Sequence, residues 1–204
     1  MTDSIGTHRP LPPLSAEDKI YIERNFYKLE ELCLGRPNSA AEYRSQIREG
    51  ILPLPTYIVE GIEMYPGDFF VFPDSVGGLG ASMKNEFLTR YLRTAESYRE
   101  RVSGEQMAEE YSAYLSGEYA ACLRWVTPET IFLKGIAMAK IDELMAEPRP
   151  ADTAWSVALR SWVNRLDNME REFAPCDTAR FGSLPSRVRY INRAREKYPS
   201  CFSS

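Results

Sequence analysis

The sequence predicts a mainly α-helical protein, with a small winged-helix-like N-terminal head bearing a two-stranded hairpin, packed on a C-terminal helical bundle. Three observations support this. Two S-x-x-D/E starts precede a Glu60-Gly61 turn flanked by short β-branched and aromatic runs. A Gly-rich run, PDSVGGLGAS (73–82), follows. Beyond it, apolar residues recur at i, i+3/i+4 to the end of the chain. The expected division is a disordered lead-in over 1–14, a head over 15–75 and a body over 76–204.

In the head, Ser15 and Asp18 open one or two short helices whose apolar side includes Ile20, Tyr21, Phe26, Leu29 and Leu32, and GRPN breaks them. Ser39 and Glu42 open a helix that stops at Gly50. Pro53 and Pro55 force extended chain, and residues 56–59 and 62–65 pair across Glu60-Gly61, where Gly61 can supply a positive φ.

The body opens with a helix carrying Phe87, Tyr91, Leu92, Ala95 and Tyr98. SGEQ (103–106) reads as a capping box for the next, and VTPE (126–129) starts another, with Thr127 as cap and Pro128 in the first turn. Trp155, Leu159, Trp162, Leu166, Met169 and Phe173 form one stripe, capped by Asp152 or Thr153. A short basic helix, with Ser186 as its N-cap and Pro199 as its stop, closes the chain.

Composition narrows the chemistry. The only histidine is His8, so a Ser-His-Asp or Cys-His arrangement has no base, and the usual zinc and di-iron ligand is missing. We therefore expect no metal and no cofactor. Cys33, Cys122, Cys176 and Cys201 are far apart and read as small buried hydrophobes. No apolar run reaches the roughly 20 residues of a membrane span, and the opening lacks a basic-then-apolar leader, which together point to a cytoplasmic protein without a membrane partner. Residues 1–75 carry 7 basic and 12 acidic side chains, so the head lacks the positive face that DNA phosphates require, and nucleic acid is disfavoured.

Lys134 is the main candidate site residue. At about 100° per residue it falls inside the apolar arc of Ile131, Met138, Ile141 and Met145, while Lys140, Glu143 and Glu147 gather on the wet face. A buried ammonium needs a carboxylate partner or a water-filled cleft. The expected partner is Glu129 or Asp167, although Glu129 is also explained by its place at a helix N-terminus. Asp167, Glu170 and Arg171 otherwise read as part of a solvated, sign-alternating face. Arg180 and Arg187 flank Phe181, Gly182 and Pro185 in what reads as a loop outside any helix, suited to gripping an anion.

Several stretches together carry a family resemblance. IREGILPLPTYIVEGIEMYPGDFF, YLSGEYAACLRWVTPETIFLKG, LRSWVNRLDNMEREFAPCD and RFGSLPSRVRYINRAREKYP resemble an actinobacterial domain family of unknown function linked to natural-product biosynthesis, and the head is similar in order to that of MerR-type regulators. Positions that match the family pattern include Tyr114, Cys122, Arg124, Glu129, Lys134, Asp167, Glu170, Arg171, Arg180, Phe181 and Arg187. Asn164, Val188 and the wing tip depart from it. The resemblance implies a cytoplasmic protein of a secondary-metabolite gene cluster.

The leading expectation is a metal-free tailoring or cyclising enzyme acting on an anionic small molecule. Lys134 would serve as base or anion holder, Glu129 or Asp167 as acid, and Arg124, Arg180, Arg187 and Tyr114 as substrate contacts. In that scheme Lys134→Met abolishes turnover without lowering stability. The alternative is a non-catalytic partner of another protein of the same cluster, and a DNA-binding regulator ranks third.

Overall fold

The computed structural model describes residues 11–77 and 81–202. Residues 1–10 of the expected lead-in and 78–80 of the Gly-rich run lie outside the described residues.

The fold is mainly helical, with one small three-stranded antiparallel sheet. The N-terminal part runs α1 (Ala16–Asn25), β1 (Phe26–Tyr27), α2 (Leu29–Leu32), α3 (Ala40–Arg48), β2 (Tyr57–Val59), β3 (Ile62–Pro66) and α4 (Val71–Ser75). Ser15/Asp18 and Ser39/Glu42 both form reciprocal capping boxes, as their spacing predicts. The hairpin pairs Tyr57 with Met64 and Val59 with Ile62, and both turn residues, Glu60 and Gly61, adopt positive φ. Such a turn matches the twist of the flanking strands. One strand is unanticipated: Phe26–Tyr27 leaves α1 in extended backbone and pairs with Tyr65 and Pro66, giving the order β1-β3-β2. Leu11 and Leu14, expected in a disordered lead-in, pack on the cluster around Phe26 and Tyr57.

The C-terminal part is helical throughout: α5 (Ala81–Ser97), α6 (Gly104–Leu115), a 3-10 turn at Glu118–Ala121, α7 (Pro128–Ala146), α8 (Thr153–Met169) and α9 (Pro175–Phe181). A π-helical segment, Arg187–Asn192, then runs into α10 (Arg193–Lys197) and a last 3-10 turn. Ser103, Thr127 and Asp152 cap α6, α7 and α8, and Pro128 sits in the first turn of α7. Of the predicted apolar stripe of α8, Trp155, Leu159, Leu166 and Met169 are buried and Trp162 is only partly covered, while Val163, not read as part of it, is buried as well. Phe173 lies beyond the end of that helix.

Two expected features differ. Asp177–Phe181 is helical, because Pro175 can start a turn without an N–H and Gly182, at φ 63°, ends it in the left-handed region. Ser186 caps nothing: its backbone is already helical and its hydroxyl donates to Glu170.

One core spans both parts. Leu52, Tyr65 and Phe72 share a contiguous cluster with Phe87, Tyr114, Phe132 and Leu159. Phe72 meets Phe87 and Tyr114 edge-on, with ring centres 5.9 and 5.5 Å apart. Each such fully buried ring contributes about 2–3 kcal/mol from area alone. A second, smaller cluster around Ile22, Phe26, Tyr57 and Cys176 ties the sheet to α9.

Candidate functional site

The site is assembled by a backbone clip. An isolated antiparallel bridge pairs Leu123 with Glu170, with Arg124 N donating to Met169 O at 2.9 Å and Arg171 N to Cys122 O at 2.9 Å. The clip holds Cys122 and Glu170 together at the point where α8 ends. α7 crosses beside it and presents Lys134, whose Nζ lies 2.8 Å from Cys122 Sγ and 3.6 Å from Glu170 Oε1. Glu170 is fully buried, the Lys134 side chain only 12% exposed. Ser186 also donates to Glu170 Oε1, while Glu170 Oε2 has no hydrogen-bond partner among the described residues.

Lys134 and Cys122 open onto a cavity of about 340 Å³. Its apolar wall includes Met138, Phe173, Phe181 and Leu184, and its polar groups include Glu118, Asp177, Arg189 and the rings of Tyr119 and Tyr190. This mixture of apolar surface and a few convergent polar groups is typical of small-molecule sites, and the volume suits a modest organic ligand. Arg189 and Leu184 are exposed at its rim. The π-helical segment contributes Arg189 and Tyr190, and such irregular turns recur at functional sites.

The electrostatics follow from burial. Burial works to lower the Lys134 pKa, but Cys122 and Glu170 outweigh it and hold the ammonium above its ordinary value. Burial raises the Glu170 carboxyl against the opposing pull of Lys134, and raises the Cys122 thiol likewise. Lys134 is therefore a cation at neutral pH and Cys122 a thiol. Asp177, on the cavity wall, titrates closer to neutrality than an ordinary carboxyl. Burial pushes its carboxyl up to about 6, although Tyr57 OH donates to Oδ2 at 2.7 Å. Oδ1 faces Arg180 Nη1 at 3.9 Å without a hydrogen bond.

The other sequence candidates do not gather here. Glu129 is gripped by Arg90 through two bonds of 2.6 and 2.9 Å, and Asp167 by Arg187 at 2.6 Å and Arg195 at 2.8 Å; neither lines the cavity. In both carboxyls these arginines outweigh burial and hold the pKa below its ordinary value. The acid beside Lys134 is Glu170, in place of Glu129 or Asp167. Arg180 is buried behind the cavity wall, donating to Thr56 O at 2.9 Å and lying 3.8 Å from Glu118. Arg187 is committed to Asp167. Tyr114 is buried among Phe72, Phe87 and Tyr111, and its hydroxyl has no hydrogen-bond partner among the described residues. Arg124 faces a different groove, shared with Arg171. Among the described residues no group of three or more His, Cys, Asp or Glu gathers as metal ligands.

A model described as a family of unknown function (DUF6058) matches residues 82–199, more than half of the chain. The chain belongs to the DUF6058 family. No curated protein and no solved structure matches it. Every residue lining the cavity falls inside the DUF6058 segment, as does Glu170. The head contributes from behind, through Tyr57 on Asp177 and the Thr56 carbonyl on Arg180.

Sequence reasoning missed Glu170 as the partner of Lys134 and Asp177 as a cavity group. A signal for Glu170 was present: it stands four residues after Leu166 and seven after Val163, both on the buried stripe. For Asp177 no periodicity was available, because α9 is only seven residues long and begins at a proline.

Proposed function

We propose that this DUF6058 protein is a cytoplasmic tailoring enzyme of natural-product biosynthesis, acting on an anionic small molecule in the Lys134 cavity. The observation that carries the reading is a lysine kept protonated at a cavity wall by a fully buried glutamate. An ammonium has three N–H donors, and Cys122 and Glu170 occupy only part of that capacity. A ligand carboxylate or a developing oxyanion in the cavity meets a preorganised positive charge in a poorly solvated setting, where such charges act most strongly. The raised pKa favours Lys134 as anion holder over base. Asp177, titrating near 6 in the same cavity, is the better proton acceptor. The natural-product assignment rests on the family resemblance in the sequence.

The regulator reading loses further support. The order α1-β1-α2-α3-β2-β3 resembles that of a winged helix, yet two of the arginines of this head are already paired with carboxylates. Arg44 of α3 pairs with Glu30 at 2.8 Å and Glu63 at 2.9 Å, and Arg36 pairs with Asp74.

The test is native mass spectrometry of the protein purified from its producer during metabolite synthesis. A co-purifying small anion that is absent from the compensated Lys134→Met/Glu170→Gln variant supports the enzyme reading. A stoichiometric cluster protein, with the cavity empty in both forms, would instead make this chain an accessory subunit.

A further inference from the structure

A second groove lies on the other side of the backbone clip. It measures about 490 Å³ and is lined by Arg24, Arg124 and Arg171, with Tyr21, Ile20 and Asn25 beside them and Glu17 and Glu172 at its edge. Two of the arginines are preset by the bridge. Arg124 Nε donates to the Glu170 carbonyl at 2.9 Å, and Arg171 Nε donates to the Leu123 carbonyl at 2.9 Å, so each guanidinium is tied to the strand opposite. Arg171 is further held by Nη2 on Arg124 O at 3.4 Å and by the Phe26 ring beneath it, 4.9 Å away. The Nη groups of Arg124 have no partner among the described residues. Arg24, on α1, makes no side-chain hydrogen bond or ion pair with another described residue. Although two glutamates border the groove, none of the three arginines pairs with either.

We propose that this groove is a binding site for a compact polyoxyanion, the phosphate or pyrophosphate group of a small phosphorylated molecule. A carboxylate satisfies one guanidinium fork, whereas three forks around one space call for an anion with several acceptor oxygens and more than one charge. Holding two guanidiniums through Nε lowers the ordering cost of binding, since their outward donors are already aimed. The space exceeds one phosphate, and Ile20 and the Tyr21 ring offer an apolar wall to an organic remainder. Glu17 and Glu172 repel an extended polyanion, which is why the site favours a small phosphate ester over nucleic acid. The Lys134 cavity is separate from it, sharing no lining residue.

The test is calorimetric titration of inorganic pyrophosphate into the full chain at low ionic strength, with phosphate, sulfate and a short single-stranded DNA as parallel arms. One saturable equivalent of pyrophosphate is expected, tighter than phosphate or sulfate. It should weaken about tenfold in Arg24→Ala, whose side chain makes no hydrogen bond or ion pair with another described residue, and similarly in Arg124→Gln. The charge-neutral double variant Lys134→Met/Glu170→Gln should bind as wild type does, since it changes two side chains that do not line the groove and keeps the Glu170 backbone carbonyl that holds Arg124. Absence of binding, equal binding by Arg24→Ala, loss of binding in the cavity double variant, or DNA binding tighter than pyrophosphate would each overturn the assignment.

Discussion

Glu170 and Lys134 act as one unit, and each is costly without the other. A fully buried carboxylate with one oxygen unpartnered is tolerated because an ammonium lies 3.6 Å away and the Ser186 hydroxyl beside it. Lys134→Met should therefore lower stability at neutral pH, by about 3–5 kcal/mol, where the sequence alone suggested no loss. Adding Glu170→Gln should recover most of the loss. Because the Glu170 carboxyl already sits above its ordinary pKa, acidification should also narrow the gap as it protonates. Urea denaturation of both variants at neutral and mildly acidic pH checks this, and a single variant as stable as wild type would refute the coupling. Asp177 supplies a second prediction. In the fold it keeps its proton up to about 6, whereas the ordinary value is 3.8. Between those values the native state binds more protons than the unfolded chain, so this group makes stability fall as pH rises through that window. Tyr57→Phe removes the hydroxyl that favours the carboxylate, and should move the Asp177 titration upward at a stability cost of about 1 kcal/mol. Carboxyl ¹³C NMR reads the shift directly.

At the level of elements, the link between the extended Pro53–Pro55 segment and the end of α6 decides where the site can form. Leu54 N donates to Leu115 O at 2.8 Å, and Thr56 Oγ1 donates to Gly117 O at 3.1 Å. This close approach requires glycine at 117: its φ is 74°, and a Cβ there would stand 2.1 Å from Leu54 O. Gly117→Ala should cost more than about 2 kcal/mol, because both the dihedral and the backbone contact oppose it. Gly182→Ala, with φ 63° but open space around the added carbon, should cost about 1 kcal/mol. Denaturant midpoints of the two variants separate these causes. The long elements were legible in the sequence because caps and stripes are local signals: Ser15, Ser39, Thr127 and Asp152 all start helices as read. β1 and α9 were not, because a two-residue strand exists only through its partner Tyr65–Pro66, and a seven-residue helix shows barely two turns of pattern. Lys134 was legible as a buried cation from its wheel position alone. Its carboxylate was not, since Glu170 reaches it through the pairing of Leu123 with Glu170, a contact between distant segments.

For the whole molecule, the question is whether the DUF6058 segment is a unit in its own right. The family match begins at residue 82, the last residue of the Gly-rich run that suggests a boundary. The core ignores that boundary. Tyr65, Phe69, Phe70 and Phe72 pack in the same cluster as Phe87, Tyr91 and Tyr114, and Arg90 on α5 bonds Ser75 at 2.7 Å while gripping Glu129. On the far side of the molecule, Asp18 accepts from Cys176 N at 2.7 Å, and Tyr57 and Thr56 hold Asp177 and Arg180. Removing residues 1–81 would uncover the Phe87 and Tyr114 rings, which are almost fully buried, and strip the supporting bonds from the cavity's acidic wall. With net stabilities of only about 5–15 kcal/mol in single domains, several uncovered aromatics at about 2–3 kcal/mol each exceed what the remainder can spare. The full chain should therefore unfold in one cooperative step, with coincident fluorescence and circular-dichroism transitions. The isolated 82–204 fragment should show helical far-UV signal without a sharp melt. A fragment that melts cooperatively near the temperature of the full chain would show that the head is an appendage, and would place the origin of the cavity's geometry wholly within the DUF6058 segment.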